Sequence, residues 1–402
     1  MRKRLALSLL GFGLALTVQA QTPPAHSSAT PASPPAAGSS LEKSLDRALA
    51  KADKGDEAGA IQILEGLRKD PAVTPPVLSL LGGLYLKTNR PKEAMELLKP
   101  LADAEDADPA VLFNTARAAF ALGQKAEGVQ YLERSVALAP ASPAARALGL
   151  FLAREGQPEQ AYDILLPWVA ATPDDFEARL AAALLAVNLQ HFADAEKLLK
   201  GMPKNNPRVE LLAGDLALRQ GNPKASIATL RPLVDNPPPG FDTNSGMEAD
   251  ARRLLAEAYL RTGQPNDAIK LLSGREKGDP ATALLLAQAQ FQGGATPAAL
   301  ATLSPWTDKI LKADKPRDPE LVVKMAITYG RILTAAGRLE EAATAIGVAT
   351  RLDPGSPEAW DAYGKTLAAQ GKKEDSAKAL ARSQVLVAAR ARGKVESRLA
   401  SA

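Results

Sequence analysis

The stretch from Pro319 to Ser383 contains one pattern twice. The first copy reads Ala326-Ile327-Thr328-Tyr329-Gly330 and continues with Leu333, Gly337, Ala342 and Ile346; the second reads Trp360-Asp361-Ala362-Tyr363-Gly364 and continues with Leu367, Gly371, Ser376 and Leu380. Every residue of the second copy follows its counterpart at the same interval. A fixed period in the thirties indicates stacked copies of one unit, each burying its apolar face against its neighbours. The stretch therefore predicts helical hairpins in a repeat array.

The same spacing extends through most of the chain. The small residue that opens the second helix of each unit occurs at positions 94, 128, 161, 195, 226, 268, 299, 342 and 376. Most steps lie in the low thirties, but the steps from 226 to 268 and from 299 to 342 exceed forty. The longer steps contain the polar, proline-bearing segments 235–246 and 307–318, which we interpret as loop insertions between units. With a weaker first unit at 41–67, the array comprises nine or ten hairpins over residues 41–383.

This pattern resembles the tetratricopeptide repeat (TPR) family. Gly or Ala at the eighth position of the first helix (helix A) lets the second helix (helix B) of the same unit approach closely. The resemblance implies an all-α fold, an α/α solenoid wound as a right-handed superhelix of about nine to ten TPR-like hairpins. It also implies a non-enzymatic scaffold.

Glycines and prolines mark the turns inside the hairpins. A glycine can adopt the left-handed conformation that ends helix A, and a proline just after it suits the first turn of helix B, where no amide donor is needed. We expect these roles for Gly156, Gly221, Gly263 and Gly337, and for Pro91, Pro158, Pro223 and Pro265.

Proline also occurs late in helix B of alternate units. These positions are Pro100, Pro167, Pro232 and Pro305, and units five and seven have Gly201 and Gly274 there. Proline in a helix interior removes a hydrogen bond and clashes with the preceding turn. We therefore expect a short or kinked helix B in the middle of the array; simple early termination of helix B fits equally well.

The two ends of the chain differ from the repeats. Arg2, Lys3 and Arg4 precede the apolar run Leu5–Val18, the pattern of a signal peptide over residues 1–20 with cleavage after Ala20. The alternative is an uncleaved anchor. Residues 21–40 are rich in Pro, Ala and Ser and predict a disordered linker. Residues 384–402 predict a capping helix with a basic tail, or a segment that contacts a membrane surface. We expect a periplasmic or secreted protein without a stable membrane span after cleavage.

Composition excludes several kinds of site. The chain has no cysteine and two histidines, His26 and His191, so a thiolate, metal-histidine or Ser-His-Asp site is not expected and neither is a cofactor. The net charge is +4, but the two basic ends account for more than that and leave the repeats at about −2. A nucleic-acid-binding body would show a strong basic stripe, so we expect no nucleic-acid partner.

In proteins that this sequence resembles, ligands lie in a concave groove lined by helix A positions 2, 5, 9, 12 and 13. Carried over residue by residue, the groove residues are Phe113, Arg117, Phe120, Arg146, Leu150, Arg154, Asn188, Arg219, Arg253, Arg261, Gln288, Phe291 and Arg331, with Leu180, Leu184, Leu211, Asp215, Glu257 and Leu284 at further such positions. Seven of these are arginines, which bind carboxylates. The alternative is a solvated helix face with scattered charge.

Two functions follow from this face. The first is a periplasmic scaffold that binds a protein or peptide partner, in an envelope, secretion or polysaccharide-export assembly. The second is a binding module for an anionic polymer such as an exported polysaccharide. An enzyme is not expected, because no catalytic constellation is present.

Overall fold

The computed structural model describes residues 40–68, 75–238, 241, 246–312 and 316–400. Within these ranges the chain is helical and contains no strand. The predicted signal peptide, nearly all of the predicted linker and His26 lie outside the described residues.

The helices of the first half are α1 Ser40–Asp53, α2 Glu57–Leu67, α3 Pro75–Lys87, α4 Pro91–Ala102, α5 Pro109–Ala121, α6 Lys125–Leu138, α7 Pro143–Glu155, α8 Pro158–Ala171, α9 Phe176–Asn188 and α10 Phe192–Leu199. The helices of the second half are α11 Pro207–Arg219, α12 Pro223–Asp235, α13 Gly246–Arg261, α14 Pro265–Leu272, α15 Pro280–Gln292, α16 Thr296–Leu303, α17 Thr307–Leu311, α18 Pro319–Ala335, α19 Leu339–Leu352, α20 Pro357–Ala369 and α21 Lys373–Ala400.

These helices pair into ten hairpins in the described part of the chain, and α17 stands outside the pairs. The prediction of an all-α array of nine to ten helical hairpins is confirmed. The described residues fall into two compact units: the N-terminal unit ends at Met202 and the C-terminal unit begins at Pro203.

Where the eighth position of helix A is a glycine, the two helices of the hairpin pack closely at that point. A Cβ atom added to Gly149 would lie 2.5 Å from Leu165, and one added to Gly364 would lie 2.7 Å from Leu380. Both leucines belong to helix B of the same hairpin. The predicted close approach is confirmed. A leucine side chain of helix B fills the space beside each glycine, and the backbone carbonyl of the small helix B residue, Ala161 or Ser376, lies next to it.

The turns follow the sequence-based expectation. Gly156, Gly221, Gly263 and Gly337 all have φ between 73° and 79°. Helix B begins at each of the four expected prolines, as the bounds of α4, α8, α12 and α14 show. In the second and fifth units Asn89 and Gln190 take the left-handed position instead, with φ of 58° and 66°.

The late prolines of helix B have two different outcomes. α4, α8 and α12 continue past Pro100, Pro167 and Pro232, so the expectation of a short helix is wrong for these three. In the eighth unit helix B does end early, because α16 stops at Leu303 and Pro305 lies in the 3₁₀ turn that follows.

In units five and seven, which alternate with the proline-bearing units, helix B ends ahead of a glycine. α10 and α14 are each 8 residues long. They end before Gly201 and Gly274, both of which are left-handed. A left-handed glycine closes a helix without a steric penalty, so here glycine and not proline makes helix B short.

The first part of the predicted insertion 307–318 is a short helix and not a polar loop; residues 313–315 lie outside the described residues. After the 3₁₀ turn Ser304–Trp306 the chain forms α17. Ile310 is 1% exposed and belongs to the apolar core that α15, α18 and α19 share. The sequence-based interpretation missed this helix because its single buried residue lies among lysines and aspartates. Of the other insertion, 235–246, residues 239–240 and 242–245 lie outside the described residues.

The C-terminal segment continues the last hairpin. Residues 384–400 belong to the same helix as Lys373, so helix B of the final repeat is 28 residues long and no separate capping helix begins at 384. Arg390 donates to Glu358 over 2.9 Å and ties this extension to the start of α20. Among the helices described, none has the length and apolar character that crossing a bilayer requires.

Candidate binding groove

In the N-terminal unit the predicted groove begins with Phe113, Arg117 and Phe120 on α5, all partly buried. The Arg117 guanidinium lies 5.8 Å from the centre of the Phe113 ring and donates to Asn114 Oδ1 over 2.9 Å. The ring of Phe120 is 5.6 Å from that of Phe151 on α7. The Arg117 guanidinium is therefore close enough to the Phe113 ring for a cation–π attraction.

Two predicted arginines of this unit have no carboxylate partner in the described part of the chain. Arg117 is the more enclosed, and burial lowers the pKa of its guanidinium because removal from water disfavours the charged form. Arg154 is exposed in the last turn of α7. These are the two cations of the unit's groove that remain available to a ligand.

Arg146 has a structural role instead. Its Nε donates to Asp175 Oδ2 over 2.6 Å, and Trp168 Nε1 donates to the same oxygen over 2.9 Å. Asp175 also caps α9 by accepting from the Ala178 amide, as expected for an aspartate before a helix. Burial would raise the pKa of Asp175, but the hydrogen bonds from Trp168 and Ala178 and the charge of Arg146 outweigh it and hold that pKa below its ordinary value.

The apolar residues predicted for this unit are mostly not on the surface. Leu150 is 7% exposed and Leu180 and Leu184 are each 2% exposed. They fill the interior between helices because neighbouring first helices pack closely here. Asn188 is partly buried, and its Oδ1 has no hydrogen-bond partner among the described residues.

In the C-terminal unit two predicted arginines are enclosed by carboxylates. Arg219 Nε donates to both oxygens of Asp215, at 2.8 and 2.9 Å. Burial raises the pKa of Asp215, although Arg219 opposes that shift. Arg253 is 9% exposed and pairs with Asp250 and, over 2.5 Å, with Asp279. Arg219 is thus paired within its own helix, Arg253 joins α13 to the start of α15 through Asp279, and neither arginine is free to bind a ligand.

Five of the other predicted residues of this unit meet at one open cavity of about 350 Å³, whereas Leu211 and Leu284 are buried in the interior. It is lined by Glu257, Leu260 and Arg261 of α13, Gln288, Phe291 and Gln292 of α15, and Thr328 and Arg331 of α18. Three consecutive first helices thus contribute to one concavity. Sequence reasoning predicted Glu257, Arg261, Gln288, Phe291 and Arg331 but missed Leu260, Gln292 and Thr328. A wider set of helix positions would have been needed to find those three.

Polar contacts set the chemistry of this cavity. Gln288 Nε2 donates to Thr328 Oγ1 over 3.1 Å. Arg261 is held by Glu257 over 2.5 Å and by the carbonyl of Leu218 over 2.8 Å. Arg331 has 49% of its side chain exposed, and its nearest carboxylate, Asp361, is 3.9 Å away. Arg331 is therefore the cation of the cavity with most freedom to bind a partner.

The arginines of the predicted face are thus largely neutralised. Of the seven, Arg146, Arg219, Arg253, Arg261 and Arg331 have a carboxylate within ion-pair distance. A face with so few unpaired cations does not favour a polyanionic ligand. The described residues also contain no group of His, Asp and Glu side chains arranged to hold a metal ion.

Three models of the tetratricopeptide repeat family match this chain, over residues 51–119, 110–142 and 211–281. These matches fall on the helical hairpins described above. The chain is a tetratricopeptide repeat protein. TPR units typically form non-catalytic scaffolds for protein–protein interaction, because stacked hairpins present long continuous surfaces.

Solved helical-repeat structures are similar to this TPR protein. A tetratricopeptide repeat protein from Parabacteroides merdae is 18% identical over 63% of this chain and 100% of its own, with a TM-score of 0.36. The structure of Naa15/Naa10 bound to HypK-THB is 13% identical over 86% of this chain and 63% of its own, with a TM-score of 0.40. The APC/C hetero-tetramer Cut9-Hcn1 is 11% identical over 86% of this chain and 87% of its own, with a TM-score of 0.43. No curated protein sequence matches the TPR protein significantly.

Proposed function

We propose that this TPR protein is a non-enzymatic scaffold that binds a segment of another protein at the cavity between α13, α15 and α18. The observation that supports this most directly is the shared cavity, because side chains of three successive first helices converge on it. A surface built by several repeats recognises an extended or helical segment better than a small molecule, since the contact points are spread along the array.

The chemistry of the cavity suits a polypeptide. Phe291 offers an apolar surface, Gln288 and Thr328 offer donors and acceptors for a peptide backbone, and Arg331 offers a half-exposed guanidinium. Arginine binds a carboxylate with two parallel hydrogen bonds. The partner segment therefore combines an apolar side chain with an acidic group.

We further propose that the protein works outside the cytoplasm, in an envelope, secretion or polysaccharide-export assembly. The support is the basic start followed by the apolar run Leu5–Val18 and the small residue Ala20, the arrangement of an export signal. Fractionation of cells that express the full chain, followed by N-terminal sequencing, tests the location. A mature chain that begins at Gln21 in the periplasmic or secreted fraction is expected, and an intact N-terminus in the cytoplasm would contradict it.

A photo-crosslinking experiment tests the cavity. A benzophenone amino acid replaces Gln292, an exposed residue that lines the cavity, in one variant and Lys270, an exposed residue of α14 outside the cavity, in the control, so that Arg331 stays in place. We expect a discrete protein adduct from position 292 that position 270 does not give. Adding Phe291→Ala to the first variant should reduce that adduct strongly, while the helical circular dichroism signal stays unchanged.

The result that would overturn the proposal is equally specific. Equal adducts from both positions, or an adduct that Phe291→Ala leaves intact, would show that the cavity is not where the partner binds. Mass spectrometry of the adduct identifies the segment. An acidic, partly apolar peptide agrees with the proposal, whereas a basic one contradicts it.

A further inference from the structure

The last repeat has a second concave surface, away from the cavity of the proposed function. Trp360, Tyr363 and Leu367 of α20 and Ala379 of α21 line an open cavity of about 570 Å³, with Lys372 and Arg382 at its rim. We call this surface the terminal face. Trp360 and Tyr363 lie edge to face with ring centres 6.3 Å apart, so two aromatic side chains partly open to water define its floor.

The equivalent face of the preceding repeat is buried. The equivalent positions one repeat earlier are Ala326, Tyr329, Leu333 and Ala345. All four are buried, with exposures of 0%, 6%, 0% and 0%. In the last repeat Leu367 and Ala379 stay buried, but the two aromatic residues are partly exposed. The aromatic positions are therefore covered in the ninth hairpin and partly open in the tenth.

The cover over the ninth hairpin is a helix. Ala359 and Ala362 of α20 belong to the same apolar core as Tyr329. Two polar contacts fix the position of that helix: Thr334 Oγ1 and Thr366 Oγ1 are 2.8 Å apart, and Gln370 Nε2 donates to the Leu339 carbonyl over 3.0 Å. A surface of this shape accepts an α-helix with small and apolar residues on one side.

The charges around the terminal face select the kind of helix. Lys372 and Arg382 have no carboxylate partner in the described part of the chain, whereas Lys378 is held by Glu374 over 2.9 Å. The one acidic lining residue is Asp375. A second copy of the chain docked symmetrically would bring these unpaired cations against each other. A helix with acidic flanks would pair with them and avoid that repulsion.

We propose that the terminal face binds an acidic amphipathic helix of a partner protein, which continues the array as an eleventh first helix would. The apolar stripe of this helix, at i, i+3, i+4 and i+7, covers Trp360 and Tyr363. Its flanking Glu or Asp residues pair with Lys372 and Arg382. This proposal is independent of the cavity near Arg331.

Two synthetic peptides test it, each about 18 residues long so that a helix can form. Both have Leu and Ala at i, i+3, i+4 and i+7, and they differ only in having Glu or Lys at the flanking positions. Fluorescence anisotropy measures their affinity for the full chain. We expect the Glu peptide to bind and the Lys peptide to bind about tenfold more weakly, as two rim charges predict.

The variants make the test specific. In Lys372→Glu/Arg382→Glu the preference should reverse, so that the Lys peptide binds more tightly than the Glu peptide. The matched control is Lys92→Glu/Lys125→Glu, two exposed lysines of the N-terminal unit, which should keep the original preference. Tyr363→Ala should weaken both peptides, and circular dichroism shows whether that variant remains helical. Because the charge reversals lie on the surface, they keep the test decisive even if Tyr363→Ala unfolds the last repeat.

Three outcomes would overturn the proposal. The first is equal binding of both peptides to the natural chain. The second is the same preference in the reversed variant and in its control. The third is a concentration-dependent dimer in sedimentation experiments that Tyr363→Arg abolishes, since that would assign the terminal face to a second copy of the chain.

Discussion

The Asp175 carboxylate connects three helices in the N-terminal unit. It caps α9, accepts from Trp168 of α8 and pairs with Arg146 of α7. The two charged side chains are 24% and 14% exposed, so the pair is screened less than a surface pair. The residue predicted as a groove ligand, Arg146, is thereby part of the packing between repeats.

Asp175→Asn should destabilise the array near neutral pH. Asparagine still caps α9 but leaves the enclosed Arg146 without its counter-charge, which costs about 2 kcal/mol. Because the folded-state pKa of Asp175 is lowered, its contribution is present above the ordinary aspartate pKa and is lost as pH falls through the folded value. The gap in urea midpoint between natural chain and variant should therefore shrink below about pH 4. Asp174→Asn, at an exposed neighbour, is the control, and an equal gap at pH 7 and pH 3 would contradict the argument.

Two helical glycines of the ninth hairpin should respond in opposite ways to alanine. A Cβ at Gly330 would overlap the side chain of Ile346, whereas one at Gly347 has no neighbour within 4 Å. Gly330→Ala should destabilise by about 1–3 kcal/mol through overpacking. Gly347→Ala should stabilise by roughly 0.5–1 kcal/mol, because alanine favours the helix more than glycine does. Thermal unfolding of the two variants side by side measures this, and a stabilised Gly330→Ala would show that the hairpin can open at no cost.

How much of this could be predicted from the sequence depends on how local the cause is. Turn glycines and helix-starting prolines act within a few residues, and they were predicted correctly. The pairs Asp215–Arg219 and Glu257–Arg261 each lie one turn apart on one helix, so their pairing could have been found from spacing. The pair Arg146–Asp175 joins two different repeats, and no local pattern indicates it.

At the scale of the element, a late proline does not by itself decide where helix B ends. α10 and α14 end ahead of left-handed glycines, and α16 ends ahead of Pro305. α12 contains Pro232 and still runs on to Asp235. The sequence locates each of these residues, but the tertiary packing of the last turn decides whether a helix survives a proline.

Replacing Pro232 by alanine should stabilise the hairpin α11–α12. Pro232 is exposed, so little packing is lost, and an alanine amide could donate to the carbonyl of Ala228 in the turn before it. The gain should be on the order of 1 kcal/mol after the added freedom of the unfolded chain is subtracted. Pro223→Ala at the start of the same helix is the matched control and should bring no gain, because that amide has no partner within the helix. Equal midpoints for the two variants in urea unfolding would refute this interpretation of α12.

At the scale of the whole molecule, the sequence indicated the number of hairpins but not the electrostatics of the face they present. The spacing of small residues counts units directly, since each hairpin needs one close approach. Whether a side chain at a given helix A position lines the groove or is buried between helices depends on how closely the next helix A packs against it. Leu150, Leu180 and Leu184 were predicted as lining and are buried. The net charge also misleads, because ion pairs inside the array neutralise most of the arginines on that face.

This internal neutralisation predicts how the protein responds to a polyanion. Heparin serves as the probe, and the natural chain should bind it weakly at physiological salt, since the repeats have a slightly negative balance and few unpaired groove arginines. Glu257→Gln releases Arg261, which Glu257 holds over 2.5 Å at the cavity. Affinity for heparin should then rise about two- to fivefold, the range for one freed surface charge. Glu340→Gln removes one negative charge at an exposed position of α19 and controls for net charge. A larger gain for Glu257→Gln than for Glu340→Gln means that pairing, not composition, keeps this face from binding polyanions, whereas equal gains would mean that net charge alone decides.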